Sequence, residues 1–311
     1  GVGDCVREVF GSSGADCAGD VFGQSADETM VCIVAVTDKL PNIERLIDSL
    51  SDAASICINV NPQNTNVILG KKTVCIYGDP AITDTLLGNE YLISPRSFYQ
   101  VNRLQTEKLY KKAIEYMALS GDEIVWDLYC GIGTIALSAA AGAKEVYGAE
   151  IVEDAVKDAR NNAIRNGITN AKFLAGDVTR CLAPKDPVDS GGIMAANEDR
   201  FLAKAKSKDY TGEIYDESGE GFIWKSASSY EMIPSPDVIV TDPPRKGLTE
   251  ELIDLITGAD PKRIVYVSCN PSTLARDLRI FCDKGYSPCA ITPVDQFGHS
   301  MHVETVCLLS N

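Results

Sequence analysis

Cys269 ends the apolar run "VYVSC" and is followed at once by Asn270, Pro271 and the helix-like "STLARDL". A thiol at a strand terminus that faces a turn is either a buried core group or a nucleophile held toward a cleft, and the N-terminal dipole of the helix beginning near Pro271 is expected to depress its pKa. A second run, "VIVTDPPRKGL", brings Asp242 to a strand end in the same way, with two prolines that stiffen the turn and fix the direction of the carboxylate. Arg245 stands next, where an aromatic side chain would serve stacking; a guanidinium serves a developing negative charge, such as a carbonyl passing to an enolate. The stretch "DQFGHSMHVETV" holds both histidines of the chain, His299 and His302, together with Glu304. Alternation predicts that His302 and Glu304 share one face of a last strand, where a carboxylate can take up a proton. Two histidines and one acid without further ligand spacing do not make a metal site, and none is expected.

The run "VWDLYCGIGTIALSAA" predicts a strand, a glycine turn and a helix. Gly131 and Gly133 let the backbone turn sharply beside a ligand, and Glu150 ends the next strand where it can accept hydrogen bonds from ribose hydroxyls. Gly131, Gly133 and Ala136 also satisfy a dinucleotide fingerprint, so a nicotinamide cofactor is a rival. Charge separates the two. Asp127 precedes the glycines, where it would repel a pyrophosphate but attract the sulfonium and ammonium of S-adenosylmethionine. Asp177, after "LAGD", either reads an adenine amino group or caps a loop.

These residues need a scaffold that gathers strand ends. From Glu123 onward the strand-like runs "IVWDLY", "EVYGAE", "AKFLAG", "DVIVTD" and "RIVYVS" alternate with helical stretches. The pattern predicts an α/β fold: a Rossmann-like, mainly parallel, doubly wound sheet, whose carboxyl edge binds ligands. Residues 1–102 read as a smaller α+β domain on the substrate side, with strands "MVCIVAV", "SICINVN", "TVCIYG" and "EYLIS" and a helix over "NIERLIDSL". Residues 103–311 form the catalytic domain, opened by the helical "RLQTEKLYKKAIEYMAL". An insertion near 184–236, rich in Gly, Ser and charge, interrupts it as an exposed loop with a short helix or hairpin.

A chain of 311 residues has ample length for two domains, and its apolar runs are too short to span a bilayer. Its 11 cysteines are odd in number and never spaced C-x-x-C, which fits reduced thiols in a cytoplasm and argues against a zinc ribbon. The net charge of −15 counts against a generic nucleic-acid binder. It leaves room for an enzyme that extrudes one base and needs only a local basic patch.

Together "SPRSFYQVN", "DLYCGIGT", "DPPRKG", "SCNPSTLARD" and "HVE" resemble, in order and over nearly the whole chain from Met30, the RNA 5-methyluridine (uracil-C5) methyltransferases. The resemblance implies S-adenosylmethionine as cofactor, Cys269 as nucleophile, Glu304 as the proton-abstracting base, and Asp242 and Arg245 beside them. It implies that Gln100, Tyr129, Thr134, Glu150, Asp177 and Asp242 line the donor site with Asp127, Gly131 and Gly133, and that Phe98 and His302 serve the substrate. RNA is then the expected partner, 23S ribosomal RNA first and tRNA second, for a monomeric cytoplasmic protein without a membrane association. The family usually has Asn where Thr134 stands. Members often carry an N-terminal barrel, and some hold an iron–sulfur cluster; neither is expected within this chain. Two other classes compete: a non-catalytic RNA-binding module of the same fold, and a methyltransferase for a small molecule.

Overall fold

The computed structural model describes residues 6–11, 28–63, 68–100, 102–179 and 234–311. The predicted insertion near 184–236 lies outside the described residues as far as 233. The chain opens with β1 (Val6–Gly11), β2 (Met30–Ala35), α1 (Ile43–Ser49), β3 (Ser55–Val60) and β4 (Lys72–Gly78). They form one four-stranded sheet in that order, in which β2 and β3 run parallel across the α1 connection. Its core is small: Val31, Ile33, Ala53 and Ile56 are buried against partly covered Leu46, Ile47 and Leu50.

A hairpin follows, β5 (Ile82–Leu86) and β6 (Asn89–Ile93), turned at Leu87 and Gly88 with φ of 52° and 85°. Two positive φ values match the twist that a two-residue hairpin demands. Sequence pattern assigned this region to the small domain, yet Ile82, Leu86, Tyr91 and Ile93 belong to the core of the large sheet. The packing border therefore falls before Ile82, and Met30 reaches across it into the same core.

The rest builds the large sheet: α2 (Arg103–Met117), β7 (Ile124–Leu128), α3 (Thr134–Ala140), β8 (Glu145–Glu150), α4 (Glu153–Arg165), β9 (Ala171–Ala175), β10 (Val238–Thr241), α5 (Glu250–Gly258), β11 (Arg263–Ser268), α6 (Pro271–Asp283), β12 (Ser287–Val294) and β13 (Glu304–Ser310). The strand order is β12-β13-β11-β10-β7-β8-β9, parallel from β11 to β9 and antiparallel at β12 and β13. The central strands are largely apolar because helices cover both faces, with Asp127 in β7 a buried exception. On one face α2 buries Leu109, Tyr110, Ala113 and Met117 at helical spacing. Strand β12 carries two prolines and lies at the edge, where missing donors are tolerated. Among the described residues no helix is long and apolar enough to cross a membrane.

Candidate active site

Parallel strands end together. Leu128, Glu150, Ala175, Thr241 and Ser268 close β7, β8, β9, β10 and β11 at one edge, so Asp177, Asp242 and Cys269 all follow at that edge. Strand β13 runs the other way, and its first residue, Glu304, therefore lies there too. Ser268 pairs with Thr305, and one further step of that antiparallel register faces Cys269 with Glu304. Strand β13 begins at Glu304, so His302 precedes it, exposed on the turn, with its N–H donated to Ser300 Oγ at 3.2 Å. The expected strand alternation of His302 with Glu304 is thereby corrected: the turn at Phe297–Ser300 consumes the residues that the pattern had given to the strand.

The glycine turn occupies the middle of this edge. Tyr129 and Gly131 adopt positive φ, 67° and 55°, and Gly133 follows at 85°. Tyr129 carries the steric cost of this conformation that a glycine would avoid. A Cβ on Gly131 would meet open space, whereas one on Gly133 would come within 2.9 Å of the Phe173 ring. Gly131 thus faces the cleft, and Gly133 permits α3 to pack. Glu150 is pinned: Oε2 accepts from Gly131 N at 3.2 Å and Oε1 from Val152 N at 2.8 Å. Asp177 Oδ1 accepts from Thr179 N at 3.0 Å, the loop-capping role, and its charge, after burial, helps raise the Tyr129 hydroxyl to about 12.

Asp127 differs from both. It is wholly buried at the end of β7, and neither carboxylate oxygen has a hydrogen-bond partner. Burial first and the charge of Asp242 next push its carboxyl well above the usual range, with a smaller push from Glu150; the Ala136 amide draws it down without reaching hydrogen-bond geometry. A buried, unpaired acid is costly unless a cation meets it. Asp127 and Asp242 border one open cavity with Gln100, Tyr129, Gly131 and Thr134, so the unmatched charge lies where a ligand can enter. The donor set fits S-adenosylmethionine, whose ammonium and sulfonium are cationic, and disfavours a pyrophosphate.

The loop that carries Phe98 and Gln100 is tied down by α4. Ser94 and Ser97 hydroxyls donate to Asp158 Oδ2 at 3.1 and 2.7 Å, and Arg96 pairs with Asp154 at 2.5 Å. Phe98 is left 73% exposed beside the cavity. Sequence reasoning missed Tyr110 and Gln296. Tyr110 lines the cavity and accepts from Thr134 Oγ1 at 3.3 Å; its hydroxyl is pushed up by burial and then by Asp242. Gln296, fully buried, donates from Nε2 to Thr106 Oγ1 at 2.8 Å and approaches Gln100 Oε1 at 3.5 Å. A tyrosine at core spacing on α2 gives no signal of its own, but Gln in the turn before "HVE" is a polar residue with a reason to be there.

Cys269, Asp242 and Glu304 form a coupled set. Burial and then the Glu304 charge push the Asp242 carboxyl up to about 7. Burial raises Glu304 as well, with Arg245 pulling it down. The Cys269 thiol is raised by burial first, then by Glu304 and Asp242, against the opposing charge of Arg245. A thiol depressed by the dipole of α6 was expected from the sequence. Here Cys269 stands before the Asn270 N-cap, and burial with two carboxylates outweighs the helix end.

This sheet, its glycine turn and the acid ending the second strand define the fold of the S-adenosylmethionine-dependent methyltransferases. A methyltransferase domain matches residues 119–207, and the family tRNA (Uracil-5-)-methyltransferase matches residues 229–311. An uncharacterized RNA methyltransferase of Enterococcus faecalis is 42% identical over 292 residues, 93% of this chain and 54% of the relative. Another, from Caldanaerobacter subterraneus, is 41% identical over 286 residues, 91% of this chain and 54% of its own. The tRNA (uracil-54, C5)-methyltransferase of Pyrococcus abyssi, solved with S-adenosyl-L-homocysteine, superimposes with a TM-score of 0.64 at 27% identity, over 92% of this chain and 57% of that one. The chain spans about half the length of the curated relatives it matches. It carries a methyltransferase domain and a tRNA/RNA uracil-5-methyltransferase family domain, and RNA methyltransferases are its homologues.

Proposed function

We propose that the chain methylates carbon 5 of a uridine in RNA with S-adenosylmethionine as donor. What supports this reading is the register of β11 and β13: its last pair, Ser268 with Thr305, leaves Cys269 and Glu304 as the next residues along the two segments, at the edge that Asp242 and Arg245 follow. Cys269, as thiolate, adds to carbon 6 of the uracil; a carbon–sulfur bond forms and the ring electrons move into an enolate. Arg245 faces that charge. Carbon 5, now nucleophilic, takes the methyl group that the bound donor supplies as an electrophile. Glu304 then removes the carbon 5 proton, the carbon–sulfur bond breaks, and the thiolate returns. The raised pKa of Glu304 makes it a stronger base than an ordinary carboxylate. The resting thiol of Cys269 must first ionise, and a cationic donor close to Asp242 favours that step by offsetting a carboxylate that opposes it.

Asp127, Gln100, Tyr129, Gly131, Thr134, Glu150 and Asp177 are the donor-side residues in this reading, and Phe98, whose exposed ring can stack on a base, is the substrate-side one. His302, on the exposed turn, offers a further contact to RNA. Because stacking covers carbon 5 in a duplex, the target uridine lies in a loop or is extruded. A 23S ribosomal RNA is our first reading of the target. A tRNA is the second, favoured by what the Pyrococcus abyssi neighbour is stated to act on.

The test is covalent trapping. RNA bearing 5-fluorouridine cannot lose its carbon 5 substituent as a cation, so the protein should remain bound to it on a denaturing gel. Glu304→Gln should strand the same adduct on ordinary RNA, and Cys269→Ala should abolish both adducts and all methylation. A folded Cys269→Ala protein that still methylates would place the nucleophile elsewhere. Ribosomal fragments and tRNA transcripts, run in parallel, decide between the two targets.

A further inference from the structure

Helix α6 grips the loop that carries Arg245. Asn270 Nδ2 and Thr273 Oγ1 each donate to the Arg245 carbonyl at 3.2 Å. Arg276 Nη2 donates to the carbonyls of Lys246 at 2.9 Å and Leu248 at 3.0 Å, and its Nε donates to Asp277 Oδ1 at 2.8 Å. Asp277 is wholly buried, and its Oδ2 accepts from Leu248 N at 2.8 Å and from the Tyr266 hydroxyl at 2.7 Å. Gly247, at φ 74°, lies so close that a Cβ there would be 2.5 Å from Asp277 Oδ2.

A buried carboxylate needs every acceptor filled, and this one fills its second oxygen with the loop backbone and a strand tyrosine. The grip falls on Arg245 to Leu248, just past the two prolines, and the same helix begins two residues after Cys269. Loop and nucleophile are thus held as one piece. The charged groups that act on the thiol come from two places: Glu304 at the head of β13, and the gripped loop after β10, whose Asp242 opposes ionisation with Glu304 and whose Arg245 favours it.

We propose that Arg276 and Asp277 are positioning residues that hold Arg245 against the Cys269 thiol and so set its reactivity from the far side of the loop; the inference rests on Cys269 being the nucleophile. Neither side chain touches the reacting atoms. Their influence passes through the backbone of Arg245.

Iodoacetamide alkylation of the 311-residue chain, followed across pH by mass spectrometry of the Cys269 peptide, tests this. Asp277→Asn and Arg276→Gln should each slow alkylation near neutral pH by about threefold and move the profile upward by about half a pH unit, since less positive charge faces the thiol. In an Arg245→Ala background neither substitution should add anything. Cys307, buried in β13, serves as the control for folding and should stay protected from alkylation. Should Asp277→Asn fail to fold, Arg276→Gln decides alone, because the Arg276 side chain is 52% exposed. An unchanged Cys269 profile in a folded variant, or an equal shift with and without Arg245, overturns the proposal. The assay needs neither RNA nor methyl donor. Failure of the uracil reading would leave its outcome standing, and a missing shift with intact adduct formation would remove the latch alone.

Discussion

The two halves of the sheet edge treat their acids differently. On the side of β7, β8 and β9, Glu150 is held by two backbone amides and Asp177 by one, while Asp127 is held by none. On the side of β10, β11 and β13, burial raises Asp242, Glu304 and Cys269 alike; the Glu304 charge adds to Asp242 and to the thiol, and Arg245 opposes at Glu304 and Cys269. The first arrangement fixes directions and leaves one charge for a ligand. The second raises the proton affinity of both carboxyls and of the thiol together. Recognition needs the former and proton transfer the latter.

The largest effect that would break this contrast is a pH dependence of stability. An acid whose pKa is raised by folding contributes its full stabilisation below the unfolded value, about 3.9 for Asp, and loses it as pH rises through the folded value. For Asp242, raised to about 7, the loss runs from about pH 4 to about pH 8. Its size is about 2–4 kcal/mol, less than the full shift implies because the side chain keeps some contact with water. Urea unfolding at both ends of that range should show Asp242→Asn gaining on the wild type as pH rises. Parallel slopes for the two proteins would mean that folding does not raise the Asp242 carboxyl.

Much of this edge was legible because strand ends are written in the sequence. Five apolar runs, each closed by an acid, a cysteine or a glycine turn, gave the parallel order and put Asp127, Glu150, Asp242 and Cys269 on one side. What escaped depended on tertiary placement. The β5–β6 hairpin turns at Leu-Gly, a weak turn signal, and its attachment to α4 runs through Asn162 and Asn166, which accept from Leu92 N and Glu90 N at 2.8 Å. Nothing local announces such a bond. The thiol of Cys269 was expected to be acidic because its helix is visible in the sequence, whereas the opposing carboxylates come from two other strands. Charges that converge from separate elements are invisible until the sheet is assembled.

Asp127 sharpens the contrast from the other side. As pH rises and the carboxyl ionises, Asp127→Asn should gain on the wild type in the ligand-free protein by about 1–3 kcal/mol, because it removes a buried charge that has no partner. The same change should weaken S-adenosylmethionine by about 1.5–3 kcal/mol, the range for a charged hydrogen bond. Two unfilled oxygens call for N–H donors, which an ammonium has and a sulfonium lacks. Calorimetry should therefore show the same loss for S-adenosylhomocysteine, which keeps the ammonium. A loss confined to S-adenosylmethionine would assign Asp127 to the sulfonium, and no loss for either would take it out of the donor site.

The smallest expected effect concerns Thr134, which stands between the halves. Its hydroxyl donates to Tyr110 at 3.3 Å, near the long end of a hydrogen bond, and the Tyr110 hydroxyl is buried beside the charge of Asp242. Thr134→Val keeps the shape and removes that donor, so the Tyr110 oxygen loses a partner in a site where one is hard to replace. The cost should be about 1 kcal/mol of folding stability. Because Thr134 also borders the cavity, donor affinity should fall by no more than about threefold, as a long hydrogen bond at a cavity wall contributes little. Thr134→Asn keeps a polar group with longer reach and should recover donor affinity more fully than stability, since its amide must bend to meet Tyr110. Denaturant titration and calorimetry on the two variants separate these roles. If Thr134→Val leaves stability untouched and cuts donor affinity tenfold or more, Thr134 belongs wholly to the donor side, and Tyr110 does not depend on it.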